Sequence, residues 1–183
     1  MNLTNNFVSV NGVLVDKVDN YYLLKPIRNT GRKNEIRIWN LPESLYVGQK
    51  VNIVGELVYM PLCTGSNKKV LGVKAVTFFE IEQSENDSIE IVGEIVFKDK
   101  LRITPVSKKK ILELAVKIKD GLVVPVHAWG SFAATVESSY WLGDKIYVMG
   151  YLYTREYLKE ADGILYSKLT TEVSANYVER IRE

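Results

Sequence analysis

Four tyrosines and an arginine occupy alternate positions of one stretch in the last quarter of the chain. The set comprises Tyr147, Tyr151, Tyr153, Arg155 and Tyr157. Alternate residues of a β-strand point to the same side, so these side chains would form one row. Unpaired bases stack on aromatic rings with about 1–3 kcal/mol each, and arginine adds phosphate or cation–π contacts. The row predicts a platform for single-stranded nucleic acid. The alternative is an interface between the barrels, because tyrosine is also enriched at protein interfaces.

A histidine and a tryptophan two residues apart, His127 and Trp129, are expected on one side of the preceding strand. Upstream of them, the loop Lys98–Lys110 carries six basic residues against a single Asp99. Cations in such a loop meet phosphates, and the expected contacts are Arg102, Lys108 and Lys109. In the first half of the chain, Arg37 and Trp39 alternate onto one face and predict a smaller site that combines stacking with a cation.

The residue types give little indication of catalysis. There is no Gly-rich phosphate loop, no recognisable pair of carboxylates and no nucleophile with an evident base. His127 has no apparent titratable partner that would make it a general base. The single Cys63 and the single histidine are too few to ligate a metal. The sequence therefore predicts a protein that is not an enzyme and uses no cofactor, metal or small-molecule substrate.

The elements that would position these residues recur in both halves of the chain. Three blocks of the first half match three blocks of the second half in order and pattern. The pairs are Val10–Val15 with Ile91–Val96, Ile36–Trp39 with 125–129, and Val47–Leu57 with Leu142–Leu152. A duplicated domain explains this order better than chance similarity between two β-rich halves.

Strands of the second copy are predicted at 89–97, 110–119, 122–130, 144–157 and 165–178, with a helix at 131–140 that Ser131 would cap. Five strands with a helix between the third and fourth is the layout of an OB-fold. Gly93 and Gly150 fall within strands, where a small barrel needs close backbone approach. We therefore predict an all-β chain of two tandem five-stranded OB-fold barrels, each with at most one short helix. The expected division is 1–82 for the first barrel, 83–88 for a linker and 89–183 for the second.

Composition limits the function classes. The chain has 183 residues, is 46% hydrophobic and carries a formal charge of only +2, so it lacks the strongly basic character of many nucleic-acid-binding domains. No apolar run approaches a membrane span, and the first residues do not read as an export signal. The expected location is the cytoplasm, in association with the nucleoid. Seven of the 11 tyrosines follow residue 88, so stacking is the expected attraction.

Several motifs of the second half carry a resemblance to a known family and together cover 89–178. They include Val92–Val96, Leu101–Pro105, Val126–Gly130, Leu142–Leu152, Thr154–Tyr157 and Thr171–Ala175. On these residues the second half resembles the bacterial single-stranded DNA-binding protein family. The first half resembles it through 11–12, 38–39 and 47–57 alone. The two-barrel arrangement is similar to the tandem forms of clostridia and related bacteria.

The resemblance implies sequence-independent binding and protection of single-stranded DNA in replication, recombination and repair. By position it implies base stacking on Trp129 and Tyr157 and phosphate contacts from Arg102 and Arg155. The chain departs from the family at Val123, where an aromatic is usual, in a shortened loop at 119–121, and in the expected lack of an acidic tail. A homodimer with four barrels and contacts with replication proteins are also expected.

Two alternatives remain open at the level of sequence. One is an OB-type adaptor of a primosome or mobile-element replication complex, in which the tyrosine row contacts protein and DNA binding is weak or absent. The other is an accessory or tRNA-type OB domain, which would prefer folded RNA to oligo-dT.

Overall fold

The computed structural model describes residues 6–28, 34–81 and 87–181. Strands account for most of them, as expected from runs of Val, Ile, Leu and Tyr with alternating burial. In the first half they are β1 (Asn6–Val18), β2 (Tyr21–Pro26), β3 (Ile36–Trp39), β4 (Lys50–Pro61) and β5 (Lys69–Glu80). In the second half they are β6 (Ser88–Lys98), β7 (Arg102–Ile103), β8 (Lys110–Ile118), β9 (Val123–Trp129), β10 (Lys145–Ala161) and β11 (Ile164–Arg180), with a helix α1 (Gly130–Ser139).

The described residues fall into two compact units. The first unit contains Val8–Asp87 and Tyr153–Thr171, and the second contains Ser88–Leu152 and Glu172–Glu183 with Met1–Phe7. The far half of the β10–β11 hairpin is therefore part of the first unit, although in sequence it lies between two segments of the second unit. The predicted linker falls largely on residues outside the described ranges, so the predicted domain boundaries stay a prediction.

The first unit contains a closed OB barrel. Its strands are hydrogen-bonded in the order β2-β3-β5-β4-β1, and β1 also pairs with β2, which closes the sheet. All neighbours are antiparallel except β3 and β5, which are parallel. Inward side chains such as Leu14, Leu24, Ile38 and Ile53 have no exposed surface and form the core. Burying such a side chain stabilises the fold by about 1.5–3 kcal/mol.

The second unit repeats this topology. Strands β6, β10, β11, β9 and β8 follow one another, β6 pairs with β8 to close the barrel, and β7 adds to the edge of β8. Here β9 and β11 are the parallel neighbours. At Gly150 a Cβ atom would lie 2.2 Å from the carbonyl oxygen of Ser174, and at Gly93 2.4 Å from that of Lys117. Both glycines therefore permit the close backbone approach that the sequence predicts.

The predicted fold class is confirmed, down to most strand bounds of the second copy. The helix α1 begins at Gly130 with Trp129 as its N-cap, and no side chain caps it, so the predicted capping role of Ser131 is wrong. Instead, the other end of α1 is stabilised, because Lys98 Nζ donates hydrogen bonds to the carbonyl oxygens of Glu137 and Tyr140, both at 2.7 Å. The segment between β3 and β4 consists of turns. No helix in the described parts of the chain is both long and apolar enough to cross a membrane.

Candidate nucleic-acid interface

Strand β10 presents the predicted tyrosine row on its outward side. Residues 146, 148, 150, 152 and 154 are all buried in the barrel interior, whereas 147, 151, 153, 155 and 157 are half-buried and Met149 is 37% exposed. The alternation inferred from the sequence is therefore correct from residue 146 to residue 155, and beyond it both sides of the strand are exposed or half-buried. Tyr147 and Tyr151 lie in the second unit, whereas Tyr153, Arg155 and Tyr157 lie in the first.

Tyr147 is held by its neighbours in the second unit. Its ring centroid lies 6.3 Å from that of Tyr177 in an edge-on arrangement. Burial, which is the largest cause, and a hydrogen bond to Glu90 raise the pKa of the Tyr147 phenol to about 12. The hydroxyl thus remains protonated at neutral pH, and the ring is oriented by packing and hydrogen bonding.

Trp129 lies at the end of β9 and is 36% exposed. Its indole Nε1–H donates a hydrogen bond to Ser174 Oγ at 3.1 Å, and its ring meets His127 edge-on at 6.3 Å between centroids. These two contacts fix the plane of the indole while leaving part of its surface accessible to solvent. An aromatic ring held in one orientation loses little entropy when a flat ligand stacks on it.

His127 is buried, in contrast to Trp129. Its Nδ1 lies 2.6 Å from Glu172 Oε1 and its Nε2 lies 3.2 Å from Glu113 Oε1. The side chain is 6% exposed, so a base cannot stack on it in this conformation. His127 therefore belongs beneath the candidate surface, and the expectation that it lacks a titratable partner is wrong. Glu113 faces it directly across the β8–β9 pairing, a register that the sequence alone does not reveal.

The cations of the loop between β6 and β8 differ in their exposure and in their contacts with carboxylates. The Arg102 guanidinium bonds Glu113, and its Nε lies 3.7 Å from Asp99 Oδ2. Lys108 and Lys109 are exposed and lie in a tight turn, where Lys108 has φ +53°. A phosphate would meet Lys108 and Lys109 directly, but it would compete with two carboxylates for Arg102.

In the first unit, two cations lie close to the ring of Tyr157. The Arg155 Cζ lies 5.4 Å and the Lys168 Nζ 5.9 Å from the centre of the Tyr157 ring. Cation–π contacts of this kind contribute about 0.5–1 kcal/mol at exposed sites. Lys168 comes from β11 across the hairpin, and the sequence analysis did not select it. The arrangement brings one aromatic face and two positive charges together.

The structure places Arg37 and Trp39, for which the sequence predicts a smaller site that combines stacking with a cation, at different depths in the first unit. Trp39 is 2% exposed and packs so closely on Gly72 that a Cβ atom there would lie 2.3 Å from the indole ring. Its ring also contacts Tyr21, with centroids 5.5 Å apart. Trp39 is therefore a packed side chain. Arg37 is half-buried, with its Cζ 5.9 Å from the Tyr21 ring centre.

A third tryptophan, Trp141, is a residue that the sequence analysis missed. It is 60% exposed in the second unit, and Lys98 Nζ lies 4.8 Å from the centre of its ring. The sequence feature that could have identified it is its position just before a Gly-Asp turn, where a side chain is often exposed. For metals, no three His, Cys, Asp or Glu side chains are grouped as ligands anywhere in the described ranges. His127 also directs its two nitrogens at different carboxylates.

Comparisons with known proteins relate the chain to others by structure. No protein-family model matches the sequence, and no curated protein matches it significantly. The wild-type single-stranded DNA binding protein from Thermus aquaticus is similar over 97% of this chain and 93% of its own, with a TM-score of 0.70 and 18% identity. A deletion variant of that protein is similar over 97% of this chain and 95% of its own, with a TM-score of 0.69 and 19% identity. The chain therefore has the fold of a bacterial single-stranded DNA-binding protein, with two OB barrels in one polypeptide.

Proposed function

We propose that the chain binds single-stranded DNA without sequence preference and catalyses no reaction. The observation that carries the proposal is the outward row of aromatic side chains along β10, on OB barrels whose fold matches that of the Thermus aquaticus single-stranded DNA binding protein. In the second unit, Trp129 is fixed in its plane and partly exposed, as a stacking residue requires. The supporting cations are Arg102, Lys108 and Lys109.

Stacking supplies most of the expected affinity. Each base stacked on an aromatic ring contributes about 1–3 kcal/mol, and every base has such a face, so binding tolerates any sequence. Ten basic and nine acidic residues up to residue 88, and fourteen and thirteen after it, leave +1 on each half. Counterion release lowers log K by about 0.7 per phosphate for each unit of log salt. With a net charge of only +1 on each half, the salt dependence of binding should be moderate.

Titration with oligo-dT, followed by tryptophan fluorescence at low and high salt, tests the proposal. We expect saturable quenching with salt-sensitive affinity. The double variant Tyr151→Ala with Tyr157→Ala should lose about 1–3 kcal/mol for each ring that stacks, so it should bind about 30-fold to 20,000-fold more weakly if both rings stack. Tyr46→Ala is the matched control, because Tyr46 is 64% exposed and lies outside the row.

Three outcomes would contradict this function. Absence of any fluorescence change at low salt would exclude DNA as the ligand and favour the adaptor of a replication complex. Equal affinity of the double variant and the control would assign the tyrosine row to packing or to protein contacts. Preference for folded RNA over oligo-dT would favour a tRNA-type OB domain.

We further infer that the protein acts in replication, recombination or repair, in the cytoplasm and on the nucleoid. A homodimer would supply four barrels, and replication proteins are the natural further partners. Light scattering at micromolar concentration tests the dimer, with twice the chain mass of 20.8 kDa as the expected result. A monomer with full DNA affinity would overturn the dimer and leave the binding function intact.

A further inference from the structure

The only histidine of the chain lies between two carboxylates in the second unit. His127 on β9 is 6% exposed, with Nδ1 2.6 Å from Glu172 Oε1 and Nε2 3.2 Å from Glu113 Oε1. These two carboxylates, from β11 and β8, are the charged groups that face the imidazole in the described part of the chain. Arg102 of β7 and Asp99 connect to it through Glu113, since Arg102 bonds Glu113 and lies near Asp99.

The two contacts of His127 require two hydrogen-bond donors. A neutral imidazole carries one N–H and one lone pair, whereas an imidazolium carries an N–H on both nitrogens. An ionised carboxylate can only accept hydrogen bonds. When His127 is protonated, both contacts are therefore hydrogen bonds between opposite charges. When it is neutral, one nitrogen lone pair faces a carboxylate oxygen, so one of the two contacts must open.

Burial decides which contact opens. The Glu172 side chain is 4% exposed, and leaving a buried carboxylate without hydrogen bonds is costly. The Glu113 side chain is 30% exposed, so it can turn to solvent and to Arg102. The contact with Glu172 is also the shorter of the two. We therefore expect neutral His127 to keep its N–H on Nδ1 and to release Glu113.

The released carboxylate belongs to the partner of Arg102. One oxygen, Glu113 Oε1, contacts both the His127 Nε2 and the Arg102 guanidinium. Two cations on one oxygen divide its negative charge between them, so protonated His127 weakens the bond from Glu113 to Arg102. Once His127 is neutral, the oxygen interacts with Arg102 alone. Arg102 is then less available to a phosphate.

The stacking residue has a separate anchor. Trp129 Nε1–H donates a hydrogen bond to Ser174 Oγ at 3.1 Å, and Ser174 pairs with His127 in the parallel register of β9 and β11. This hydrogen bond involves no group that titrates with the histidine. Loss of the His127 proton is therefore expected to act on the phosphate contact of Arg102 and to leave the Trp129 hydrogen bond in place.

We propose that His127 is a positioning residue that makes the binding of single-stranded DNA depend on pH. As imidazolium it shares the Glu113 oxygen and frees Arg102 for a phosphate, and as neutral imidazole it leaves Arg102 to Glu113. This inference rests on the proposed function, because it names a regulation of the same site. Affinity should fall as pH rises through the titration of His127, by about 1.4- to 5-fold, which is the range for the loss of an exposed ion pair.

Titrations of the full chain with oligo-dT from about pH 5 to 9 test the inference, since histidine is the side chain that ordinarily changes charge within this range. We expect the wild type to lose affinity by the stated factor as pH rises. Glu113→Gln and Arg102→Gln should each remove this dependence. Lys109→Gln is the matched control, because it deletes a cation of the same loop that is exposed and far weaker binding could also follow, yet the pH dependence should remain.

Nuclear magnetic resonance of the wild type follows the proton itself. A single histidine gives imidazole resonances that need no assignment. Their midpoint should coincide with that of the affinity change and with a shift of the Arg102 Nε–H resonance. Affinity that is constant over this range, or a dependence that persists in Arg102→Gln, would overturn the inference while oligo-dT binding still supported the proposed function. Absence of binding at every pH would overturn both.

Discussion

Glu113 restrains the cation that we expect to contact DNA from the loop of the second unit. The Arg102 guanidinium bonds Glu113, and its Nε lies 3.7 Å from Asp99 Oδ2. A phosphate that approaches Arg102 must displace these carboxylates. Replacing Glu113 by glutamine keeps the shape of the side chain and removes its charge. We therefore expect Glu113→Gln to bind single-stranded DNA more tightly than the wild type.

The exposure of the pair sets the size of this effect. The Arg102 side chain is 52% exposed and that of Glu113 is 30% exposed, so solvent screens the interaction. Exposed ion pairs contribute about 0.2–1 kcal/mol. If that amount is lost when a phosphate takes over Arg102, its removal raises the affinity by about 1.4- to 5-fold. The gain should be largest at low salt, where the pair is screened least.

Titrations with oligo-dT at two salt concentrations measure the effect. Glu94→Gln is the control, since it makes the same charge change at another exposed position of the second unit. A double-mutant cycle with Arg102→Gln assigns the gain, because losing Arg102 should cost more affinity in the Glu113→Gln protein than in the wild type. The reasoning is refuted if Glu113→Gln binds no more tightly than Glu94→Gln, or if Arg102→Gln costs the same in both backgrounds.

Three further outcomes are expected. Trp129→Ala should weaken oligo-dT binding by about 1–3 kcal/mol, roughly 5- to 150-fold, with Trp129→Phe retaining most of the affinity; equal losses would exclude stacking. Gly150→Ala should lower the melting temperature, because its Cβ would lie 2.2 Å from the Ser174 carbonyl oxygen and overpacking costs about 1–3 kcal/mol; an unchanged melting curve would contradict the close approach. Burial and Glu90 raise the pKa of Tyr147 to about 12, so the unfolded chain loses this proton first and stability should fall as pH rises from about 10 to 12; Tyr147→Phe should reduce this fall in denaturation curves, and an identical pH dependence would contradict it.

Alternation explains why the fold and the facing of β10 could be predicted from the sequence. Alternate residues of a strand point to opposite faces. The buried residues 146, 148, 150, 152 and 154 and the outward tyrosines could therefore be identified from the pattern alone. The duplicated blocks then fixed the number of barrels. The roles of Gly93 and Gly150 could also be predicted, because a glycine within a strand of a small barrel indicates close approach of another backbone segment.

Partners from distant parts of the chain could not be predicted in this way. Burial of His127 depends on Glu172 in β11 and on Glu113 across the β8–β9 pairing, and both contacts require the strand register. Trp39 looked like a stacking residue because it alternates onto the same face as Arg37. In the structure, Gly72 on the parallel neighbouring strand β5 leaves room for the indole to pack against the backbone. Lys168 meets Tyr157 only once the hairpin has formed.

Membership of residues 153–171 in the first unit has a consequence for how the chain is made. During synthesis the strands β1 to β5 leave the ribosome early and have all the pairing partners that close their barrel. Asn34 Oδ1 accepts a hydrogen bond from the backbone N–H of Thr154, which emerges only after most of the second barrel. The first unit is therefore begun first but completed only after residues 88–152 have emerged, and residues 172–180 of β11 then complete the second unit. A ribosome that stalls between the two barrels would hold a closed first barrel that still lacks its hairpin.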